Sequence, residues 1–271
     1  MNLRGRCFVL DVDGTCIVAE SAEWRNPQVL PGTRAVLEAI RDGGGRFVFL
    51  TNGSALPPEE YTGVLRASQL PVEDQEVITP GAIAAEIIAR EYPGRPVLVL
   101  GQRGLWAPLE QRGIPCVGVE EGERAGVVLV GWDPVWTYEK LAAACRAIWN
   151  GAAFLVTSLS PWYATKHGRT PGLSAALAAA ITYITQKPAR LVGKPSRDAL
   201  RVAAARLGVP VEELVVVGDD VELDFRMGKE AGARTVLVLT GVTLEEELEK
   251  LPPQDRPDLV LRGIQDLLAY L

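Results

Sequence analysis

Short apolar runs alternate with longer amphipathic stretches along almost the whole chain. The runs at residues 7–10, 48–50 and 214–217 are rich in Val, Leu and Phe, which is typical of strands. Residues 33–41 place their apolar side chains on one helical face, and the glycines at residues 43–45 end that helix. This alternation predicts an α/β fold in which helices cover parallel sheets.

A second alternating block occupies the middle of the chain. Strands are predicted near residues 97–100, 116–119, 127–130 and 154–156, and helices near residues 82–91, 138–149 and 173–185. Proline and glycine at residues 79–81 and proline at residues 186–188 predict hinges at its two ends. A separate α/β unit inserted here would sit above the carboxyl edge of the core sheet and could close over it.

Composition limits the classes of partner. The chain has 271 residues, 48% of them hydrophobic, and its net charge of −6 without a Lys/Arg run argues against nucleic acid. Its four cysteines lack C-x-x-C spacing and its N-terminus does not resemble a signal peptide, which predicts a cytoplasmic protein. No apolar run approaches the roughly 20 residues that span a bilayer, so no membrane partner is expected.

Two acidic side chains directly follow the first predicted strand. Asp11 and Asp13 project the same way, because side chains repeat every two residues along a strand. Gly14 permits a tight turn, and Thr15 offers a hydroxyl and exposed amides. The group could carry out phosphoryl transfer at the carboxyl edge of a sheet, where open α/β folds bind ligands. Alone, it also fits a purely structural turn.

Three further polar segments follow predicted strands. They are residues 51–54, residues 193–195 and residues 218–220, with Asp224 four residues after the last of these. All three fall in the order that the same chemistry requires, which argues against coincidence.

Together these segments resemble the haloacid dehalogenase superfamily in its phosphatase branch. The family's first motif matches residues 11–15, its second Thr51, its third Lys194, and its fourth residues 218–220 with Asp224. Within the branch, the chain resembles the subgroup of para-nitrophenylphosphatase, phosphoglycolate phosphatase and the NagD-type nucleotide phosphatases. The phrases that support this subgroup are residues 51–52, 130–133, 137–141, 193–195 and 240–243.

The resemblance spans nearly the whole chain and implies its architecture. It implies a Rossmann-like parallel-sheet core formed by residues 1–80 and 188–271, with an α/β cap of the C2 type inserted at residues 81–187. The cap would shield the site and select the substrate. Relatives with this cap often pair through it, so the resemblance also implies a homodimer through the cap.

The motifs imply a mechanism. Asp11 would attack phosphorus and form an aspartyl-phosphate, and Asp13 would protonate the leaving alkoxide and then deprotonate the water that hydrolyses the intermediate. Mg²⁺ would bind Asp11, the backbone carbonyl of Asp13, and Asp219, with waters and a phosphate oxygen completing an octahedron. The expected function is Mg²⁺-dependent hydrolysis of the phosphomonoester of a small metabolite.

Other positions would hold the phosphoryl group. Thr51 and Lys194 would contact its oxygens, by hydrogen bonds and by charge, and Asn52 and Gly53 extend this substrate-binding set. Asp224 would either keep Lys194 in place or hold a metal-bound water.

Several residues have two open interpretations. Asp220 fits a supporting role near the metal and equally a helix N-cap. His167, the only histidine, lies in a predicted surface turn and is a weaker candidate for substrate contact. Trp162 and Tyr163 lie in a proline-containing loop, which makes them the aromatic residues most suited to substrate contact rather than packing.

The substrate itself is not predicted. Many relatives carry an Asn-x-Asp stretch after a cap strand, whereas residues 157–161 read Thr-Ser-Leu-Ser-Pro. Phosphoglycolate, a nucleoside monophosphate, a sugar phosphate and pyridoxal phosphate would all present the same phosphate to Asp11.

Three rival functions use similar residues. A dehalogenase also attacks with an aspartate but needs neither a second acid nor a metal. A phospho-accepting receiver domain groups the same residue types but is about half as long. A catalytically silent phosphometabolite-binding protein would use the same cleft, although intact Asp11 and Asp13 argue against it.

Overall fold

The computed structural model describes residues 1–271 apart from the side chain of residue 164. The strands are β1 (Cys7–Leu10), β2 (Ile17–Val18), β3 (Gln28–Val29), β4 (Arg46–Leu50), β5 (Val77–Ile78), β6 (Val97–Leu100), β7 (Cys116–Val117), β8 (Val127–Val130), β9 (Ala153–Val156), β10 (Trp162–Thr165), β11 (Gly168–Pro171), β12 (Arg190–Leu191), β13 (Leu214–Gly218), β14 (Arg234–Val238) and β15 (Leu259–Leu261). The α-helices are α1 (Thr33–Asp42), α2 (Pro58–Ala67), α3 (Pro80–Glu91), α4 (Arg103–Gln111), α5 (Tyr138–Trp149), α6 (Leu173–Thr185), α7 (Arg197–Leu207), α8 (Arg226–Glu230) and α9 (Glu245–Glu249).

Six parallel strands form the first sheet, in the order β15-β14-β13-β1-β4-β5. Strand β1 lies in its middle, with Leu10 aligned to Val217 of β13 and to Phe49 of β4. Because parallel strands end at a common edge, the residues that follow these three strands come together there.

Both faces of this sheet are buried, and the side chains of β1 show how. Phe8 and Leu10 pack in a cluster with the apolar face of α1, whereas Cys7 and Val9 pack in a cluster with α7. Continuous runs of Val, Leu and Phe suit a strand covered on two sides. The sequence pattern therefore led to the correct fold class, an α/β protein with parallel sheets.

A second sheet of five parallel strands has the order β12-β9-β8-β6-β7. One of its faces packs with α5 and α6. The other shares a hydrophobic cluster with α3, α4 and the first sheet. The two sheets are thus joined by one continuous apolar core.

The predicted middle elements are largely confirmed, and the differences have local causes. Helix α4 was not predicted, because Gly104 and Pro108 interrupt its helical pattern. The antiparallel pairs β2–β3 and β10–β11 were also missed. Strand β12 pairs with β9 of the second sheet, so Lys194 follows a strand of that sheet. The division at residue 188 stays a prediction.

Two further sequence expectations concern the whole chain. Over the described residues, every helix is too short or too polar to cross a lipid bilayer. All four cysteines carry free thiols.

Candidate active site

A cavity of about 940 Å³ lies at the carboxyl edge of the first sheet. The middle block walls its opposite side with residues that include Trp132, Trp162 and Tyr163. Every site residue predicted from the sequence lines this cavity: Asp11, Asp13, Thr51, Asn52, Gly53, Lys194, Asp219, Asp220 and Asp224.

Lys194 joins two of the predicted carboxylates. Its Nζ donates to Asp11 Oδ1 at 2.5 Å and to Asp224 Oδ1 at 2.7 Å, and all three side chains are buried. Burial alone would lower the pKa of Lys194, but the adjacent charges of Asp11 and Asp224 outweigh it and raise that pKa. The ammonium therefore stays charged and fixes the carboxylate of Asp11.

Three buried carboxylates meet at the same point. Asp11, Asp219 and Asp224 each bring an oxygen within 4.8 Å of the others. Burial, followed by the charges of Asp11 and Asp224, raises the pKa of Asp219 well above its ordinary value. Burial also raises the pKa of Asp224 to about 7, although Lys194 opposes the shift. A cluster of hard oxygen ligands that repel one another fits a divalent cation such as Mg²⁺.

Glycines create the space for these carboxylates. Gly14 has φ +81°, and a Cβ on it would lie 2.6 Å from Asp219 Oδ2. A Cβ on Gly241 would lie 1.8 Å from the same oxygen, and one on Gly218 would lie 2.2 Å from Asp224 Cγ. Each distance is too short for any larger residue. Gly241 lies in residues 240–243, which resemble the family, but no local feature of the sequence indicates this close approach to Asp219.

Asp13 has a partner that the sequence did not reveal. Its Oδ2 accepts a hydrogen bond from Trp24 Nε1 at 3.0 Å. Burial, with a contribution from the charge of Asp11, raises the pKa of Asp13 to about 7. A carboxyl group with such a pKa can both donate and accept a proton near neutral pH. Trp24 lies in an irregular connection between β2 and β3, where no periodic pattern points to it.

The segment after β4 holds Lys194 as well as facing the cavity. Asn52 Oδ1 accepts from Lys194 N at 2.8 Å, and Asn52 Nδ2 donates to Lys194 O at 3.1 Å. Thr51 Oγ1 accepts from Gly53 N at 2.9 Å. Both polar atoms of the Asn52 side chain are therefore bonded to the backbone of Lys194. Contact with substrate by the Thr51 hydroxyl and by the backbone amides of residues 51–53 stays a prediction.

Two residues with open interpretations, Asp220 and His167, have well-defined surroundings in the structure. Asp220 Oδ1 accepts from Glu222 N at 2.8 Å and from Leu223 N at 3.1 Å, which is the N-cap arrangement at the start of the short helical segment Val221–Phe225. His167 lies exposed in the turn between β10 and β11, outside the residues that line the cavity. The surface-turn interpretation of His167 therefore agrees with its position.

Comparisons with known proteins identify the family of this chain. A family model described as haloacid dehalogenase-like hydrolase matches residues 8–115, and one described as HAD-hydrolase-like matches residues 191–267. The 5'-nucleotidase YutF of Bacillus subtilis is 29% identical over 264 residues, which cover 97% of this chain and 98% of that protein.

Solved structures extend the similarity to the fold. The 4-nitrophenylphosphatase of Thermotoga maritima is 32% identical, with a TM-score of 0.86 over 97% of this chain and 96% of that one. The glycerol phosphate phosphatase of Mycobacterium tuberculosis, solved in complex with magnesium, is 26% identical, with a TM-score of 0.86 over 97% of this chain and 76% of that one. The chain belongs to the haloacid dehalogenase-like hydrolases and is a phosphatase of their NagD-like branch.

Proposed function

We propose that the protein hydrolyses phosphomonoesters of small metabolites through an aspartyl-phosphate on Asp11, with Mg²⁺ as its cofactor. The observation that carries this proposal is the meeting of Asp11, Asp13, Lys194 and Asp219 in one cavity at the carboxyl edge of the first sheet. Chemistry of this kind needs a nucleophile, a proton donor and fixed positive charge within reach of one phosphoryl group.

In the first step, a carboxylate oxygen of Asp11 attacks phosphorus. The bond between phosphorus and the ester oxygen breaks, and the leaving oxygen takes the proton of Asp13. The pKa of Asp13, raised to about 7 by burial and by the charge of Asp11, keeps part of this group protonated near neutral pH.

In the second step, Asp13 acts as a base. It removes a proton from a water molecule, which attacks the phosphorus of the aspartyl-phosphate. The acyl phosphate bond breaks, inorganic phosphate leaves, and both Asp11 and the proton on Asp13 are restored. Asp13 can act as the acid in the first step and as the base in the second, because it ends the first step without its proton.

Charge at the site orients the phosphoryl group. The Lys194 ammonium touches Asp11 and so lies where phosphoryl oxygens would arrive. The Thr51 hydroxyl and the backbone amides beside it supply further hydrogen bonds. Asp224 holds the second side of Lys194, which fixes the ammonium in place.

The donor set around Asp219 fits the proposed cation. The side chains of Asp11 and Asp219 and the backbone carbonyl of Asp13 would hold Mg²⁺. When bound, Mg²⁺ neutralises repulsion between the carboxylates and the incoming phosphate. The magnesium complex of the similar glycerol phosphate phosphatase supports this choice of metal.

The substrate class also rests on the relatives. Those reported above are named for activity on nucleotides, 4-nitrophenyl phosphate and glycerol phosphate, all of which are phosphomonoesters. We infer from this a small phosphorylated metabolite as the partner.

The direct test is phosphate release from a panel of phosphomonoesters, with Mg²⁺ and with EDTA. The proposal expects release that depends on Mg²⁺ and returns when Mg²⁺ is added in excess over EDTA. Folded protein that releases phosphate from no ester in the panel would favour a silent phosphometabolite-binding protein instead.

A further inference from the structure

The two walls of the cavity differ in chemistry. The wall from the first sheet carries the carboxylates, and Lys194 lies beside them. The wall from the middle block, which would face the alcohol part of a substrate, includes the apolar and aromatic side chains of Leu159, Pro161, Trp162, Tyr163 and Leu173.

Positive charge is scarce in this cavity. Among the described residues that line it, the only cations are Lys194 and Lys250. Lys194 is already bound to Asp11 and Asp224. Lys250 is exposed and lines the cavity together with Glu222 and Glu247, and none of these three residues belongs to the middle block. An anionic group on the alcohol part of a substrate would therefore meet no cation contributed by the middle-block wall.

The two cations of the middle block nearest in sequence to this wall, Arg169 and Lys166, are held by other groups of the protein. The Arg169 guanidinium lies over the ring of Trp162, 4.2 Å from its centroid. Lys166 Nζ donates to Asn26 O at 2.9 Å and lies 3.4 Å from a carboxylate oxygen of Glu20. Neither Arg169 nor Lys166 is among the lining residues.

One polar atom of this wall lacks a partner. Ser160 lines the cavity, and its Oγ is buried without a hydrogen-bond partner among the described residues. Buried hydroxyls are nearly always hydrogen-bonded in folded proteins. Because this hydroxyl has almost no exposed surface, it does not offset the apolar character of the wall.

We propose that the enzyme prefers phosphomonoesters whose alcohol part is uncharged and presents an apolar or aromatic ring, and that it discriminates against esters with a second anionic group. This inference rests on the proposed function. A ring would bury apolar surface against Trp162 and Leu173. A carboxylate in the same place would lose its hydration without gaining a counter-ion.

Matched pairs of esters test this preference. Benzyl phosphate is compared with 4-carboxybenzyl phosphate, and 2-hydroxyethyl phosphate with 2-phosphoglycolate. We expect kcat/KM to be at least about tenfold lower for each carboxylated ester, which is the size of discrimination that one unpaired group can produce. We also expect benzyl phosphate to exceed 2-hydroxyethyl phosphate. Equal or better turnover of the carboxylated esters would overturn the inference.

A substitution on the wall sharpens the test. Leu159→Arg adds one cation, and Leu159→Gln is its uncharged control. We expect Leu159→Arg to raise the ratio of kcat/KM for 4-carboxybenzyl over benzyl phosphate, and Leu159→Gln to leave that ratio unchanged. An unchanged ratio in Leu159→Arg would count against the inference. Hydrolysis of no ester at all would instead overturn the proposed function, and the inference with it.

A different observation, the hydrogen bond between Trp24 and Asp13, carries a second inference. Trp24 is 2% exposed and has φ 52°, in the left-handed region. Its ring centroid lies 4.2 Å from that of Tyr61, whose hydroxyl donates to Ala22 O at 2.7 Å. Tyr61 thus holds the connection between β2 and β3 in two ways, through the ring of Trp24 and through the backbone carbonyl of Ala22.

The geometry points to Trp24 as a positioning residue for Asp13. Because the indole N–H occupies Asp13 Oδ2, Oδ1 is the oxygen on which the acid would carry its proton towards the substrate. Without this hydrogen bond, the Asp13 carboxyl could rotate, and its proton would spend less time directed at the leaving oxygen. This inference rests on the proposed role of Asp13.

Two esters with different leaving groups can show whether Trp24 positions the acid or only supports the fold. Trp24→Phe retains an aromatic ring but lacks the N–H. The value of kcat/KM reports on the steps up to departure of the alcohol. We expect Trp24→Phe to lower kcat/KM about tenfold for benzyl phosphate. The decrease should be smaller for 4-nitrophenyl phosphate, because its leaving group depends less on protonation by an acid. Trp106→Phe, a Trp→Phe change outside the cavity, should affect both esters equally. Equal losses in Trp24→Phe would overturn the inference.

A double-mutant cycle supplies an independent readout. In an Asp13→Asn background, Trp24→Phe should cause no further loss of kcat/KM for benzyl phosphate, because its effect acts through the acid. Additive losses would contradict the inference. Should Trp24→Phe not fold, Tyr61→Phe removes the hydroxyl that holds Ala22, and the same unequal losses on the two esters are expected from it.

Discussion

The carboxylate of Asp219 is packed against glycines that leave no room for a larger residue. A methyl group on Gly241 would overlap Asp219 Oδ2, since the ideal Cβ lies only 1.8 Å away. We expect Gly241→Ala to displace this carboxylate and to raise the Mg²⁺ concentration for half-maximal activity by about tenfold, the effect typical of a disturbed metal shell. A Mg²⁺ titration of phosphate release measures it.

The matched control for this variant is Gly63→Ala, in the middle of α2. A Cβ there meets nothing within 4 Å, so the Mg²⁺ requirement should not change. Unchanged Mg²⁺ dependence in Gly241→Ala as well would show that Asp219 does not depend on this close approach.

The acid role of Asp13 predicts a pH dependence. Burial and the charge of Asp11 raise its pKa to about 7, so the protonated form predominates below that pH and is lost above it. We expect kcat/KM for an alkyl phosphate to fall on the alkaline side as Asp13 loses its proton, with a weaker fall for 4-nitrophenyl phosphate. Profiles for the two esters measure this, and identical alkaline limbs would argue against an acid role for Asp13.

At the scale of elements, α3 joins the two sheets. Ile87 of α3 is buried in the cluster that contains Val9 of the first sheet and Leu129 of the second. We expect Ile87→Ala to lower the free energy of unfolding by about 2–4 kcal/mol, through lost burial and a residual cavity. Urea unfolding measures the change.

Ile184→Ala is the matched control, because Ile184 is 42% exposed on α6. Its effect should stay within about 0.5 kcal/mol, as for most surface substitutions. If Ile87→Ala lowers the free energy of unfolding no more than Ile184→Ala does, the packing of α3 between the two sheets does not stabilise the protein as proposed.

The elements also show what a sequence can and cannot reveal. Asp11 and Asp13 could be predicted as a pair because their spacing and the preceding apolar run are local features. The sheet membership of β12 could not, because a two-residue strand has no period and its pairing with β9 is a long-range contact. The hydrogen bond from Trp24 to Asp13 likewise depends on how an irregular connection folds back over the site.

At the scale of the whole molecule, the buried carboxylates link stability to pH and metal. Burial raises the pKa values of Asp13, Asp219 and Asp224 above the pKa of an aspartate in the unfolded chain, which is about 4. Between about pH 4 and pH 7 the folded protein therefore holds more protons than the unfolded chain, so metal-free stability falls as pH rises. Bound Mg²⁺ would relieve the repulsion among the ionised groups.

We expect the rise in Tm caused by Mg²⁺ to be larger at pH 8 than at pH 5. Thermal unfolding in EDTA and in Mg²⁺ at the two pH values measures it. Asp224→Asn should reduce the decline of metal-free stability with pH. A Mg²⁺ effect that is equal at both pH values would contradict the linkage between these carboxylates and the metal.

The proposed mechanism requires that Asp11 become phosphorylated, and peptide mass spectrometry of acid-quenched enzyme can detect this covalent intermediate. Asp13→Asn is mixed with 4-nitrophenyl phosphate and Mg²⁺, because loss of the base should slow hydrolysis of the intermediate. We predict a phosphoryl group on the peptide containing Asp11, absent from Asp11→Asn, which should also lose turnover by about a thousandfold or more. Phosphate release from folded Asp11→Asn at the rate of the unaltered protein would rule out Asp11 as the nucleophile.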